Sequence, residues 1–163
     1  MRVEVGELTI GDEDLCPLAG GWFHGWLLHA AKDPCHRAAV VYDTKSKLLS
    51  THPEYLMARR GNHLFLNLVD APVPIFKVES FLGALNFIDE AVKAGAKPNL
   101  HCNQGHSRAP SIALLWLAKR AKTIPDDSFA VARSVFEKML PPGVYAPGRG
   151  IESFLSDHWY DLA

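Results

Sequence analysis

Cysteine is scarce in this chain: Cys16, Cys35 and Cys102 are the only three in 163 residues, and no two of them form a Cys-x2-Cys couple. Three thiols cannot all pair within one molecule, so a disulfide scaffold is excluded and a reducing compartment is implied. Net charge is almost absent as well. Seventeen basic against 18 acidic side chains leave −1, which argues against a stable nucleic-acid partner or wholesale binding to a membrane surface. No apolar run reaches membrane-spanning length, and Met1-Arg2-Val3-Glu4-Val5-Gly6 lacks the apolar block of a secretory signal. A soluble cytoplasmic protein without membrane insertion is the expectation. Acid is missing from one long stretch: Ala91 to Pro125 holds no Asp or Glu but contains Lys93, Lys97, Arg108, Lys119, Arg120 and Lys122. That imbalance favours an anionic ligand, although Lys119 to Lys122 also suit the last turn of a helix, where cations are favourable.

What is present points to one domain. A 48% hydrophobic composition over 163 residues suits a single globular unit spanning 1–163, and no repeat or low-complexity segment divides it. Glu4 to Ile10 reads as a first strand, Trp22 to Ala31 as a buried helix or packed loop, and Arg37 to Tyr42 as a central strand. His52 to Arg60 reads as a short helix starting at Pro53, and His63 to Val69 as a strand. Ile75 to Ala94 follows as a helix, Ala96 to His101 as a short buried strand and Ser111 to Ala121 as a helix. Pro125-Asp126-Asp127-Ser128 opens another helix through Met139, and Glu152 to Leu162 closes the chain as an amphipathic one. Strands alternating with helices predict an α/β fold with a mostly parallel central sheet flanked by helices on both faces.

The chemistry concentrates in His101-Cys102-Asn103-Gln104-Gly105-His106-Ser107-Arg108, which links the strand ending at His101 to the helix beginning around Pro110. A tight turn at a helix N-terminus leaves backbone N–H groups without helical acceptors, and these converge on an anion with the positive end of the helix dipole behind them. Pro110 fits the first turn because its missing N–H would have had no partner. Gly105 permits the turn. Asn103, Gln104, Gly105, His106 and Ser107 supply the donors, and the Arg108 fork matches two phosphate oxygens. Cys102 beneath that ring sits in a field that favours a thiolate nucleophile. His101 also fits a core histidine that merely orders the loop, and His106 a solvated loop residue.

His-Cys-x5-Arg between a strand and a helix resembles the signature of the protein tyrosine phosphatase superfamily, in particular the compact dual-specificity phosphatases. The resemblance implies that Cys102 attacks phosphorus to form a cysteinyl-phosphate, that Arg108 binds the phosphoryl oxygens and that His101 supports the loop. The family's scheme needs a general acid to protonate the leaving oxygen. Asp70 matches it, lying at the end of the His63–Val69 run and 32 residues before Cys102. It also fits a turn-opening aspartate, and Asp43, at the end of the Arg37–Tyr42 segment, is its rival. The resemblance extends over residues 63 to 121 and continues more weakly into Pro147-Gly148-Arg149-Gly150-Ile151. It implies a phosphorylated protein or another phosphomonoester as substrate, and no cofactor.

One position departs from the pattern. Family members usually carry Ser or Thr directly after the arginine, where the hydroxyl stabilises the departing thiolate; here Ala109 stands there. Slow hydrolysis of the intermediate is the expectation. A phosphate-binding module with little turnover, the same chemistry on a phosphoinositide, nucleotide or RNA 5′-phosphate, and rhodanese-like sulfur transfer are the competing functions. His24, His29, Cys35 and His36 offer metal-ligand types within a short span, but their intervals match no common zinc pattern, and no metal is expected.

Overall fold

A computed structural model of the chain describes residues 1–19, 25–43 and 47–163. Its centre is a six-stranded sheet in the order β1-β2-β6-β3-β5-β4. The strands are β1 (Arg2–Val5), β2 (Leu8–Gly11), β3 (Leu27–His29), β4 (Met57–Arg60), β5 (His63–Leu66) and β6 (Asn99–His101). The inner strands β2, β6, β3 and β5 run parallel, and β1 and β4 are antiparallel at the two edges. The helices are α1 (Arg37–Val40), α2 (Val78–Lys93), α3 (Arg108–Lys119), α4 (Phe129–Lys138) and α5 (Arg149–His158).

Alternation along the short inner strands sorts side chains between two faces. Leu28, Leu64 and Leu100 enter the main core with Phe81, Leu85 and Ile88 of α2, Ile112 and Leu115 of α3 and Phe154 of α5. Their neighbours His29, Phe65 and His101 face the other way, where a smaller cluster of Cys16, Ala31, Cys35, Ala58 and Phe65 packs with Ala39 and Val40 of α1. Four helices thus cover one face, and α1 with the irregular turn Lys32–His36 covers part of the other. In the main core Phe154 stacks on Phe81 with ring centroids 5.0 Å apart. Each such buried ring contributes about 1.5–3 kcal/mol. Removing either ring would loosen α5, whose N-terminus borders the cavity described below.

Five local readings of the sequence are corrected. Glu4 to Ile10 is not one strand but a hairpin, β1 and β2, turning at Gly6 with φ +57°. The segment 22–31 contains strand β3 in place of a helix, with residues 22–24 lying outside the described ones. A strand buried on both faces carries a continuous apolar run, which periodicity cannot tell from a helix. Arg37 to Tyr42 is not a strand: it begins with helix α1 (Arg37–Val40), closed by Val41 in the left-handed region. Its valines favour strands only where a neighbour pairs with them, and here Arg37 instead binds Asp33 four residues back. His52 to Arg60 ends in strand β4, whose turn into β5 at Gly61-Asn62 is a hairpin signal of the glycine-asparagine kind. Asp43 therefore follows a helix and not a strand. It borders a separate shallow depression with Arg37, Val41 and Tyr42.

Candidate active site

Strands β5 and β6 flank β3 and run parallel to it, so the segments leaving their carboxyl ends emerge at the same end of the sheet. This is where ligands settle in open α/β sheets. The segment after β6 is the Cys102–Ser107 loop, and the segment after β5 carries Asp70. A cavity of about 240 Å³ opens between them, lined by Asp70, Cys102, Asn103, Gln104, His106, Ser107, Arg108, Ala146 and Gly148. Every loop residue named from the sequence lines it except Gly105. His101 lies below it.

Gly105 holds the turn in a way no other residue reproduces. Its φ is +77°, and a Cβ there would meet the Gly11 carbonyl oxygen at 3.0 Å and its carbon at 3.1 Å. The loop therefore rests directly on the end of β2. Among the described residues, no main-chain carbonyl accepts from the amides of Asn103 to Ser107. The first hydrogen bond of α3 is Ser111 N–H to the Ser107 carbonyl at 3.0 Å, so the loop amides remain free to face an anion.

Arg108 is only 7% exposed although it carries a charge. Its Nη1 donates to the Leu68 carbonyl at 3.0 Å and its Nη2 to Asn103 Oδ1 at 2.8 Å, while its buried Nε has no partner. A buried orphan donor is costly, and an anion in the cavity is the group that would satisfy it. The bond to Leu68 also ties the guanidinium to the segment two residues ahead of Asp70. One side chain thus links the Cys102–Ser107 loop to the segment that carries Asp70.

Asp70 is exposed and reaches across to the start of α5. A Cβ on Gly148 would lie 2.8 Å from Asp70 Oδ1, and a Cβ on Gly150 would lie 2.2 Å from the Ala71 carbonyl oxygen. The glycines of Pro147-Gly148-Arg149-Gly150 are thus explained by close approach: only residues without a Cβ let α5 seat against the segment that carries Asp70. Gly148 N–H in turn donates to Ser107 Oγ at 2.8 Å. His106 makes a second tie, its Nδ1–H donating to the Val144 carbonyl at 2.8 Å while its own carbonyl accepts from Ala146 N–H at 2.9 Å. That bond fixes the tautomer, so a neutral His106 presents Nε2 as an acceptor on the cavity rim.

Ala109 is fully buried. Of the two serines near it, Ser111 Oγ lies 2.9 Å from Tyr145 OH, and the Ser107 hydroxyl is engaged by Gly148. Burial pushes Tyr145 above the usual phenol range, so that partner stays neutral.

His101, one residue before Cys102, turns away from the cavity. Its Nε2 lies 2.8 Å from His29 Nδ1 and 3.7 Å from Cys35 Sγ, and its Nδ1 lies 3.4 Å from the Cys102 carbonyl. Cys16 Sγ faces Cys35 Sγ at 3.4 Å. The two spare cysteines thus face each other and not Cys102. Of the short-span set His24, His29, Cys35 and His36, His24 lies outside the described residues. His36 points elsewhere, its Nε2–H donating to the Glu54 carbonyl and its Nδ1 accepting from Tyr42 OH. Cys16, His29, Cys35 and His101 come together instead, at chain separations that form no local pattern.

No protein-family model matches the sequence, and no curated protein matches it either. Solved structures do. Human DUSP28 superposes with a TM-score of 0.61 at 16% identity, covering 99% of this chain and 93% of that one. A human tyrosine phosphatase-like serine/threonine/tyrosine-interacting protein gives 0.61 at 16% identity, covering 100% and 98%. The Yvh1 phosphatase domain from Chaetomium thermophilum gives 0.58 at 18% identity, covering 98% and 94%. The chain has the fold of the dual-specificity phosphatases over its whole length.

Proposed function

We propose that residues 1–163 form one catalytic domain, a cysteine-dependent phosphatase that hydrolyses phosphotyrosine, and phosphoserine or phosphothreonine where the pocket admits them, through a cysteinyl-phosphate. The convergence of Cys102, Asp70 and the unsatisfied Arg108 Nε on one cavity of about 240 Å³ carries this reading. A pure phosphate binder has no use for a nucleophile facing an acid, and the guanidinium with its ring of amides suits a phosphate dianion better than a persulfide.

In the first step the Cys102 thiolate attacks phosphorus and the P–O bond to the leaving group breaks. Asp70 gives its proton to the departing oxygen, and Arg108 with the loop amides holds the three equatorial oxygens. In the second step the Asp70 carboxylate takes a proton from water, the water oxygen bonds to phosphorus, and Cys102 leaves as thiolate with inorganic phosphate as product.

The test is a leaving-group series. Asp70→Asn is expected to lower kcat on alkyl phosphates by roughly 10²–10⁴-fold, the usual worth of a positioned acid, and to have a much smaller effect on an aryl phosphate whose phenolate leaves unaided. Full activity of Asp70→Asn on alkyl phosphates would remove Asp70 from the mechanism.

Ala109 sets the pace of the second step in this scheme. No hydroxyl directly follows Arg108 in sequence, and the two nearby serines, Ser107 before it and Ser111 beyond Pro110, are engaged by Gly148 and Tyr145. Loss of one hydrogen bond to a charged sulfur costs about 1.5–3 kcal/mol, or roughly one to two orders of magnitude in rate. Rapid-quench kinetics on an aryl phosphate are expected to show a burst of phenol equal to the enzyme concentration, and Ala109→Ser to raise the steady-state rate toward the burst rate. Turnover without a burst would show that the second step does not limit.

A further inference from the structure

The row of side chains on the sheet face opposite the main core has a chemistry that phosphate transfer does not use. In register across three strands lie His101 of β6, His29 of β3 and Phe65 of β5. Over them sit Cys16, which follows a short helical turn at Glu13–Leu15, and Cys35 from the turn Lys32–His36. Cys16 Sγ, His29 Nδ1, Cys35 Sγ and His101 Nε2 all lie within 4.8 Å of one another. All four residues are sealed from water, at 0%, 0%, 1% and 1% exposure respectively.

Their separations are those of a ligand tetrahedron. Zinc bonds of about 2.3 Å to sulfur and 2.0–2.1 Å to nitrogen place tetrahedral ligand atoms about 3.8 Å apart for two sulfurs, about 3.6 Å for sulfur and nitrogen and about 3.3 Å for two nitrogens. Here the two sulfurs are 3.4 Å apart, Cys16 Sγ is 3.6 Å from His29 Nδ1, Cys35 Sγ is 3.7 Å from His101 Nε2, and the nitrogens are 2.8 Å apart. These four separations need shifts of about half an ångström or less, and the remaining two lie within 4.8 Å. The outer nitrogens are arranged as metal-bound imidazoles require: His29 Nε2 lies 2.9 Å from His63 Nδ1, and His101 Nδ1 lies 3.4 Å from the Cys102 carbonyl.

We propose that Cys16, His29, Cys35 and His101 bind one divalent transition-metal ion, zinc by their ligand set, as a structural centre beneath the phosphate loop. Two thiolates and two neutral imidazoles in tetrahedral array select zinc over harder ions. On binding, each thiol loses its proton as a metal–sulfur bond forms, and the two thiolates cancel the ion's charge inside a dry pocket. A closed four-ligand centre leaves no position for substrate, so the ion takes no part in phosphoryl transfer.

Its consequence is positional. Glu13 N–H, three residues before Cys16, donates to the Asn103 carbonyl at 3.3 Å. Asn103 Nδ2 donates to the Asp33 carbonyl, two residues before Cys35, at 3.0 Å. Asn103 Oδ1 then receives Arg108. Both thiol-bearing turns therefore grip the residue that orients the guanidinium, and His101 is bonded to Cys102 itself. A metal that clamps the two turns fixes the loop floor.

The test needs no phosphatase activity. Full-length protein, purified under reductant and loaded with Zn²⁺, is expected to retain one equivalent after desalting. Exchange for Co²⁺ is expected to give the intense visible bands of a tetrahedral ion and a thiolate charge-transfer band. Cys102→Ser should keep this spectrum, Cys35→Ser should lose much of the thiolate band, and His63→Gln should weaken metal affinity by roughly 10–100-fold while leaving the fold in place. Failure of the wild-type protein to retain zinc, a cobalt spectrum that disappears in Cys102→Ser, or a Cys16–Cys35 disulfide in the reductant-purified protein would each overturn the proposal. Absence of phosphatase activity in a protein that holds zinc would instead count against the proposed function alone.

Discussion

Cys102→Ser is expected to lower hydrolysis of an aryl phosphate to the uncatalysed background while inorganic phosphate still binds. In the proposed scheme the Cys102 sulfur forms the covalent intermediate, and a serine hydroxyl, which stays protonated near neutral pH, does not replace a thiolate. Cys102 is 2% exposed, at the floor of the loop, and serine is nearly isosteric with it. The amides and the guanidinium that hold the anion therefore keep their places. The measurement pairs steady-state kinetics with titration of phosphate by calorimetry. Residual turnover above background in Cys102→Ser would show that another group carries the chemistry, and loss of phosphate binding would show that the thiolate itself shapes the loop.

Arg108→Lys is expected to fail in both respects. The guanidinium makes two bonds within the protein, to the Leu68 carbonyl and to Asn103 Oδ1, and keeps Nε for the ligand. An ammonium is a point donor on a shorter reach and cannot serve three directions in one plane. The guanidinium has five N–H groups, and two of those the protein leaves unused, Nε–H among them, would bind the phosphate at about 1.5–3 kcal/mol each. Their loss lowers kcat/KM by roughly 10²–10⁴-fold. Because Arg108 also bridges the acid loop through Leu68, the leaving-group dependence of Arg108→Lys should steepen in the direction of Asp70→Asn. A variant with unaltered phosphate affinity would place the anion elsewhere. Thermal unfolding separates these effects from general destabilisation, since Leu68 and Asn103 would each lose a partner.

Cys102, Gly105 and Arg108 were legible because their spacing encodes a local object. A turn, a helix start and a ring of amides form within eight residues, and backbone sterics alone fix what such a segment can do. Long helices were legible for a related reason. α2, α3 and α4 each present a continuous apolar stripe, and α4 opens with a capping serine, Ser128, whose hydroxyl accepts from Val131 N–H. Asp70 was reachable through the order of elements, although its placement against Gly148 was not.

The short elements were not legible. β3 owes its conformation to partners far along the chain, His29 pairing with both Phe65 and His101, β4 forms through its hairpin with β5 where a helix was expected, and α1 forms where a strand was expected because, among the described residues, no neighbour offers it a ladder. The same dependence explains the histidine-cysteine tetrad. Cys16, His29, Cys35 and His101 have no ligand spacing in the sequence, since the register of β3 on β6 aligns the histidines while two separate turns deliver the sulfurs.

By itself, then, the order of residues determined the Cys102–Ser107 turn at the head of α3, with its cysteine and its arginine, because those depend on contacts within one turn of chain. The partnering of Asp70 with Gly148, the bond from Arg108 to Leu68 and the closing of four scattered side chains around one point were decided only in three dimensions. Such contacts follow from strand register and helix packing, which depend on the whole sheet and leave no trace in any short window of sequence.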